Sequence, residues 1–108
     1  MRILLIGAGG VGGAFTAIAA RRDFFETIVI ADYDAAKAEK AAATDPRYVA
    51  AQVDASNVDS VAALCGEHGI THVMNAVDPV FNMPIFDGAF DAGADYLCLL
   101  YTSDAADE

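Results

Sequence analysis

Five glycines fall within seven residues near the N-terminus: Gly7, Gly9, Gly10, Gly12 and Gly13, in the stretch MRILLIGAGGVGGAF. Glycine inside a regular element costs conformational entropy and packs nothing. A cluster of this kind therefore marks a backbone that turns sharply or is approached closely. The flanks say where the turn lies. Arg2 to Ile6 is a short, continuous apolar run, the pattern of a strand buried on both faces. Beyond Gly10, residues Val11, Phe15, Ile18 and Ala19 recur at helical spacing until Arg21, Arg22 and Asp23 close the segment. The glycines form a strand-to-helix turn.

The alternation continues along the chain. Thr27 to Asp32 (TIVIAD) predicts a second strand, and Asp34 to Ala43, rich in the best helix formers, a second helix stopped by Asp45-Pro46. Tyr48 to Asp54 predicts a weaker third strand. Ser56 and Asp59 read as a capping box ahead of a helical stripe of Val58, Val61, Leu64 and Cys65, which ends near Gly66 or Gly69. Thr71 to Val77 predicts a fourth strand. Pro84 fits the first turn of a helix carrying Ile85, Phe86, Ala89 and Phe90 on one face. Gly93 ends that helix, and a fifth strand begins at Asp95. Strands alternating with helices require parallel βαβ units, and right-handed crossovers leave few arrangements. The expectation is an α/β, doubly wound parallel sheet in the order 3-2-1-4-5, incomplete at its C-terminal side.

In that context Gly7-x-Gly9-x-x-Gly12 matches the Rossmann dinucleotide fingerprint. Gly7 permits the turn, Gly9 leaves room for a pyrophosphate against bare backbone, and Gly12 lets the helix close on the strand. The amides of Gly10 and Val11 would face the phosphates at the positive end of the helix. Asp32, twenty residues past Gly12 at the end of the second strand, is placed to accept from the ribose hydroxyls. It would repel a 2′-phosphate, and Tyr33 beside it supplies no cation, so NAD is favoured, with NADP as the alternative. The competing role for Asp32 is to cap the following turn. Asp54 and Ala55, after the third strand, and Asn75 and Ala76, after the fourth, are further candidate cofactor contacts. For these the competing roles are a helix cap and close packing.

Other chemistry is not readable. His68 and His72 have no partner at metal spacing, and Cys65 lies on an apolar stripe. Asp87, Asp91 and Asp95 suit a solvated face, and no Ser/His/Asp or Tyr/Lys arrangement stands out. A formal charge of −10 argues against nucleic acid or an anionic membrane as a partner. Neither a membrane-spanning run nor a secretory signal is present, and two cysteines without motif spacing fit a reduced, cytoplasmic setting.

Beyond the fingerprint, MRILLIGAGGVGG, TIVIADYD, YVAAQVDASN and above all HVMNAVDPVFNMPIFDGAFDAGADYL resemble the N-terminal nucleotide-binding domain of the saccharopine dehydrogenase family. The most specific part is Asn75-Ala76-x-x-Pro79 followed by Ala92 to Leu97 (AGADYL). The resemblance implies an NAD(P)-dependent oxidoreductase acting on C–N bonds of amino acids or related imines. It also implies Gly7, Gly9, Gly12 and Asp32 as cofactor residues. A small amino-acid-type substrate and the catalytic residues would belong to a second domain that this chain lacks, so the chain alone is expected to be inactive. A homodimer stays open for the intact protein. The domain is expected over residues 1–97. Residues 98–108 (CLLYTSDAADE) break the family pattern and resemble a translated frame of a transposase adapter used in sequencing libraries, so they are expected to be foreign. The alternatives are a nucleotide-sensing regulatory domain and a fragment of a short-chain reductase or epimerase.

Overall fold

A computed structural model describes residues 1–99. Within them five strands alternate with four helices: β1 (Arg2–Ile6), α1 (Gly10–Ala19), β2 (Thr27–Asp32), α2 (Ala35–Ala42), β3 (Tyr48–Gln52), α3 (Val58–His68), β4 (His72–Asn75), α4 (Asn82–Asp91) and β5 (Asp95–Cys98). A single 3-10 turn, Pro79–Phe81, leads into α4. The sheet is parallel throughout, in the order β3-β2-β1-β4-β5. This is the expected Rossmann-type arrangement. Most of the stretch expected to be foreign lies outside the described residues. Cys98 lies inside them, paired with Asn75, and Leu99 donates its amide to the Asn75 carbonyl at 2.8 Å.

The central strands sort their side chains by parity. Ile3, Leu5, Ile28 and Ile30 join Ala8 and Ala19 on the face covered by α1 and α2. Leu4, Ile6, Val29 and Ala31 join Val61, Cys65, Ile85 and Ala89 on the face covered by α3 and α4. Full burial of such side chains is worth about 1.5–3 kcal/mol each, which makes β1 and β2 the rigid centre.

Two helices present a different face from the one their large apolar residues predict. In α1 the buried residues are Gly12, Thr16 and Ala19, while Val11 and Ile18 are 42% and 62% exposed. The reason is distance. A Cβ on Gly12 would lie 1.9 Å from the Gly7 carbonyl oxygen, so α1 sits too close to the strand end for anything but small residues beneath it. The Tyr48 hydroxyl donates to the Thr16 carbonyl at 2.6 Å and fixes that rotation. In α4 the buried residues are Ile85, Gly88 and Ala89. A Cβ on Gly88 would meet Val61 at 2.7 Å, so α4 crosses α3 on its small side. Phe90 is left 72% exposed, stacked on Phe86, which meets Tyr96 edge-on. The cap of α3 also differs. Asn57, not Ser56, accepts from the Ser60 amide at 3.1 Å, because the Asp54 carboxylate has captured the amide and hydroxyl of Ser56.

Arg47 ties the far end of this layer. Its guanidinium donates to the carbonyls of Arg22 (2.7 Å) and Ala20 (3.2 Å) just beyond α1, chelates Asp45, and lies 4.2 Å from the centre of the Phe25 ring. Carbonyls that a helix end leaves orphaned are thereby satisfied.

Candidate functional site

The glycine loop leaves β1 at Gly7, whose φ of +110° lies in the region only glycine enters readily. A Cβ there would also sit 2.9 Å from the Ala76 carbonyl oxygen and from Cγ1 of Val77. Gly7 thus serves both the turn and a close approach by the segment after β4. Gly9 differs: its φ is −105°, and a Cβ built on it meets nothing within 4 Å. The space above it is open. Gly9 is the N-cap of α1 and has no side chain to offer, and the first turn contains no acid. The amides of Gly10 and Val11 therefore stand at the positive end of a ten-residue helix without a side-chain partner. This cradle fits an anionic diphosphate.

Asp32 ends β2 beside the loop. Its Oδ2 accepts from the Ala8 amide at 3.0 Å and its Oδ1 from the Asp34 amide at 2.9 Å. The carboxylate therefore braces the glycine loop and the turn into α2 at once, and each oxygen retains capacity for a further donor. Asp34 caps α2 through the Ala36 amide at 3.0 Å. Asp32 also borders a cleft of about 470 Å³ lined by Ile6, Tyr33, Val53, Asp54, Ala55, Ser56, Val77 and Phe81. The cleft brings three expected residues together: Asp32, Asp54 and Ala55. Two hydrogen bonds from Ser56 hold the Asp54 carboxyl below its usual range and organise the turn into α3. Tyr33, 76% exposed, and Val77 follow directly on expected positions; Phe81 carried no signal in the sequence.

Asn75 ends β4 and Ala76 follows it, and both are buried. Asn75 is completely buried. Its Nδ2 donates to Asn82 Oδ1 (2.7 Å) and to the Tyr96 hydroxyl (3.2 Å), and its Oδ1 accepts from the Val77 amide (2.8 Å). The Tyr96 hydroxyl in turn donates to Asn82 Oδ1 at 2.7 Å, closing a three-membered ring. Every hydrogen-bonding group of the Asn75 amide is satisfied inside the protein, where an unpaired one would cost about 1–3 kcal/mol. Burial pushes the Tyr96 hydroxyl pKa upward. Ala76 is buried, and its Cβ lies 3.3 Å from where a Gly12 Cβ would be, so its small size serves packing.

The remaining candidates are local. His68 Nε2 lies 4.0 Å from Glu67, and His72 bonds Thr71 at 2.7 Å and approaches Asp95 at 3.5 Å. Among the described residues no group of side chains is arranged to hold a metal. Burial pushes the Cys65 thiol up to about 11. A second cleft, about 520 Å³, lies between α1 and α2 on the other side of the loop; Ala8, Gly9, Gly13 and Ala17 line it, with Lys37 and Lys40. Among the described residues no helix is long and apolar enough to cross a membrane.

Comparison with known proteins agrees with this geometry. Residues 3–108 match the sequence profile of the saccharopine dehydrogenase NADP binding domain. Carboxyaminopropylagmatine dehydrogenase of Synechocystis is 30% identical over 98 residues, covering 89% of this chain and 25% of that protein. The apo structure of saccharopine dehydrogenase (L-Glu forming) from Saccharomyces cerevisiae superposes with a TM-score of 0.79 at 18% identity, covering 93% of this chain and 22% of the yeast chain. UDP-glucose 4-epimerase from Stenotrophomonas maltophila, solved with bound NAD, gives 0.71 at 21% identity, over 90% of this chain and 35% of that one, a likeness of fold. The chain spans about a quarter of the length of the dehydrogenases it matches. Neither the regulatory sensor nor the short-chain reductase is favoured by these matches. With an open glycine cradle at the end of β1 and a family match over nearly its whole length, the chain belongs to the saccharopine dehydrogenase family of oxidoreductases, as its nicotinamide-dinucleotide-binding domain.

Proposed function

We propose that the glycine loop and the cleft beside it form one dinucleotide site, divided by the chemistry of its parts. The pyrophosphate rests over Gly9 on the amides of Gly10 and Val11, with Gly7 and Gly12 shaping the turn beneath. Asp32 accepts from the adenosine ribose, and Asp54 and Ala55 border the adenine with Tyr33 and Ser56. Val77 and Phe81 form the opposite wall. Asn75 and Ala76 act from behind that wall rather than by contact. The observation that carries this reading is the open volume over Gly9, at a helix end free of side-chain caps and acids.

The bound nicotinamide supplies or accepts hydride; this chain orients it. In the parent protein we infer oxidation or reduction at the C–N bond of an amino-acid-type substrate, held by residues beyond this domain. The Synechocystis relative, a dehydrogenase, supports that reading. Between the two cofactors our reading of Asp32 is NAD, because a 2′-phosphate would meet its carboxylate at short range. The family description names NADP, so this preference rests on Asp32 alone. Lys37 and Lys40, on the neighbouring cleft, are the cations that would narrow it. Calorimetric titration with both dinucleotides tests the assignment: NAD binds the unaltered chain more tightly, and Asp32→Ala narrows or reverses the difference. Tighter NADP binding to the unaltered chain refutes it.

A further inference from the structure

The ring of Asn75, Asn82 and Tyr96 joins three elements: the end of β4, the first residue of α4 and β5. It lies beside an apolar layer that needs no polar group to be well packed, since Val73, Ile85 and Ala89 there are fully buried. What the ring adds is direction. Asn75 Oδ1 accepts from the Val77 amide, so the turn after β4 takes its position from a side chain anchored on two other elements. That turn touches the glycine loop: the Ala76 carbonyl oxygen and Val77 Cγ1 both lie 2.9 Å from the position of a Gly7 Cβ. Val77 and Phe81, the residue before Asn82, are two walls of the Asp32 cleft. The ring thus bonds the Val77 amide directly and includes Asn82, the residue next to Phe81.

We propose that Asn75 is a positioning residue for the dinucleotide site, acting through the Val77 amide, with Asn82 and Tyr96 as its anchors. The proposal rests on the cofactor reading above. Asn75 touches no cofactor; it fixes where the wall opposite Asp32 stands relative to the glycine loop. Loss of the Oδ1 acceptor frees the Val77 amide and lets the turn move against Gly7. Loss of the Tyr96 hydroxyl leaves that bond in place.

The test compares Asn75→Leu with Tyr96→Phe, reading melting temperature, amide hydrogen exchange and NAD and NADP affinity, all well below the melting transition. Both variants are expected to melt earlier. In Asn75→Leu the amides from Ala76 to Asp78 and from Gly7 to Gly9 exchange faster, and the affinity for the better-bound dinucleotide falls about tenfold, the scale of one lost hydrogen bond. Tyr96→Phe keeps its affinity within about threefold, the lower end of that scale. Unchanged affinity in Asn75→Leu overturns the inference, as does an equal loss in both variants at matched stability. Should Asn75→Leu fail to fold, Asn75→Asp, which keeps an acceptor for Val77, carries the test. Affinity near that of the unaltered chain despite a lower melting temperature supports positioning, and a tenfold loss overturns it. An unaltered chain that binds neither dinucleotide overturns the cofactor reading and this inference with it, whereas normal binding with an unaffected Asn75→Leu overturns the inference alone.

Discussion

Gly12→Ala asks how closely α1 sits against the end of β1. The added Cβ would lie 1.9 Å from the Gly7 carbonyl oxygen, 3.0 Å from its carbon and 3.3 Å from the Ala76 Cβ. A carbon–oxygen contact needs about 3.3 Å, so the helix must retreat by about 1.4 Å. The obstacle is backbone and cannot swing aside. Retreat would stretch the 2.6 Å bond from Tyr48 to the Thr16 carbonyl and loosen Ala19 in the core. Overpacking costs about 1–3 kcal/mol, and a backbone obstacle puts this site at about 3. Alanine returns about 1 kcal/mol through helix propensity, leaving a net loss of about 2. For a chain of this size that is a fall of about 8–16 °C in melting temperature, read by circular dichroism. Gly9→Val is the control. Its Cβ meets nothing within 4 Å and its backbone is extended, so it costs at most about 1 kcal/mol as a poorer N-cap. It fills the space over the loop, however, and dinucleotide binding is lost. A Gly12→Ala protein melting within a degree or two of the unaltered chain refutes the close approach. Normal binding by Gly9→Val means that the space above the loop is not used.

Two further outcomes follow from the electrostatics. The Arg47 guanidinium, through its hydrogen bonds, holds the Asp45 carboxyl at about 2, below its ordinary 3.8. A depressed carboxyl contributes stability that is present above the ordinary value and is lost as pH falls through the folded one. Asp45→Asn therefore lowers the melting temperature at neutral pH, and the gap from the unaltered chain closes between about pH 4 and pH 2; a gap independent of pH refutes the pairing. The Cys65 thiol, raised to about 11 by burial, resists alkylation by iodoacetamide at pH 8 in the folded chain and reacts once urea unfolds it. Rapid native-state labelling at Cys65, located by mass spectrometry, contradicts its burial.

The strands were legible because the central ones are apolar throughout and are bounded by polar or glycine residues. The predicted limits of β1 and β2, Arg2 to Ile6 and Thr27 to Asp32, coincide with the observed ones. Helix faces were less legible. Periodicity weights large apolar residues, but α1 and α4 approach their neighbours through Gly12 and Gly88, and close approach selects the small side. Asn75 was read as a contact because it ends a strand at the edge where ligands bind. Parity was available as well: two residues after Val73, its side chain falls on the face beneath α4. The walls Val77 and Phe81 are brought to the cleft by the turn after β4, whose path no local pattern encodes.

The double grip of Asp32 on the Ala8 and Asp34 amides bears on how such a domain can change its cofactor. The carboxylate that would exclude a 2′-phosphate is also the brace that sets the glycine loop before any ligand arrives. A replacement that welcomes the phosphate by removing the charge also releases the loop, so the gain in tolerance is offset by the cost of ordering it on binding. Asparagine keeps an acceptor for one amide and sheds the charge; alanine and arginine offer no acceptor. On the cofactor reading proposed above, specificity and loop order are coupled at this position. A lineage or a design that moves from one dinucleotide to the other is therefore expected to pass through an amide or hydroxyl residue here, or to add a second substitution that restrains the loop.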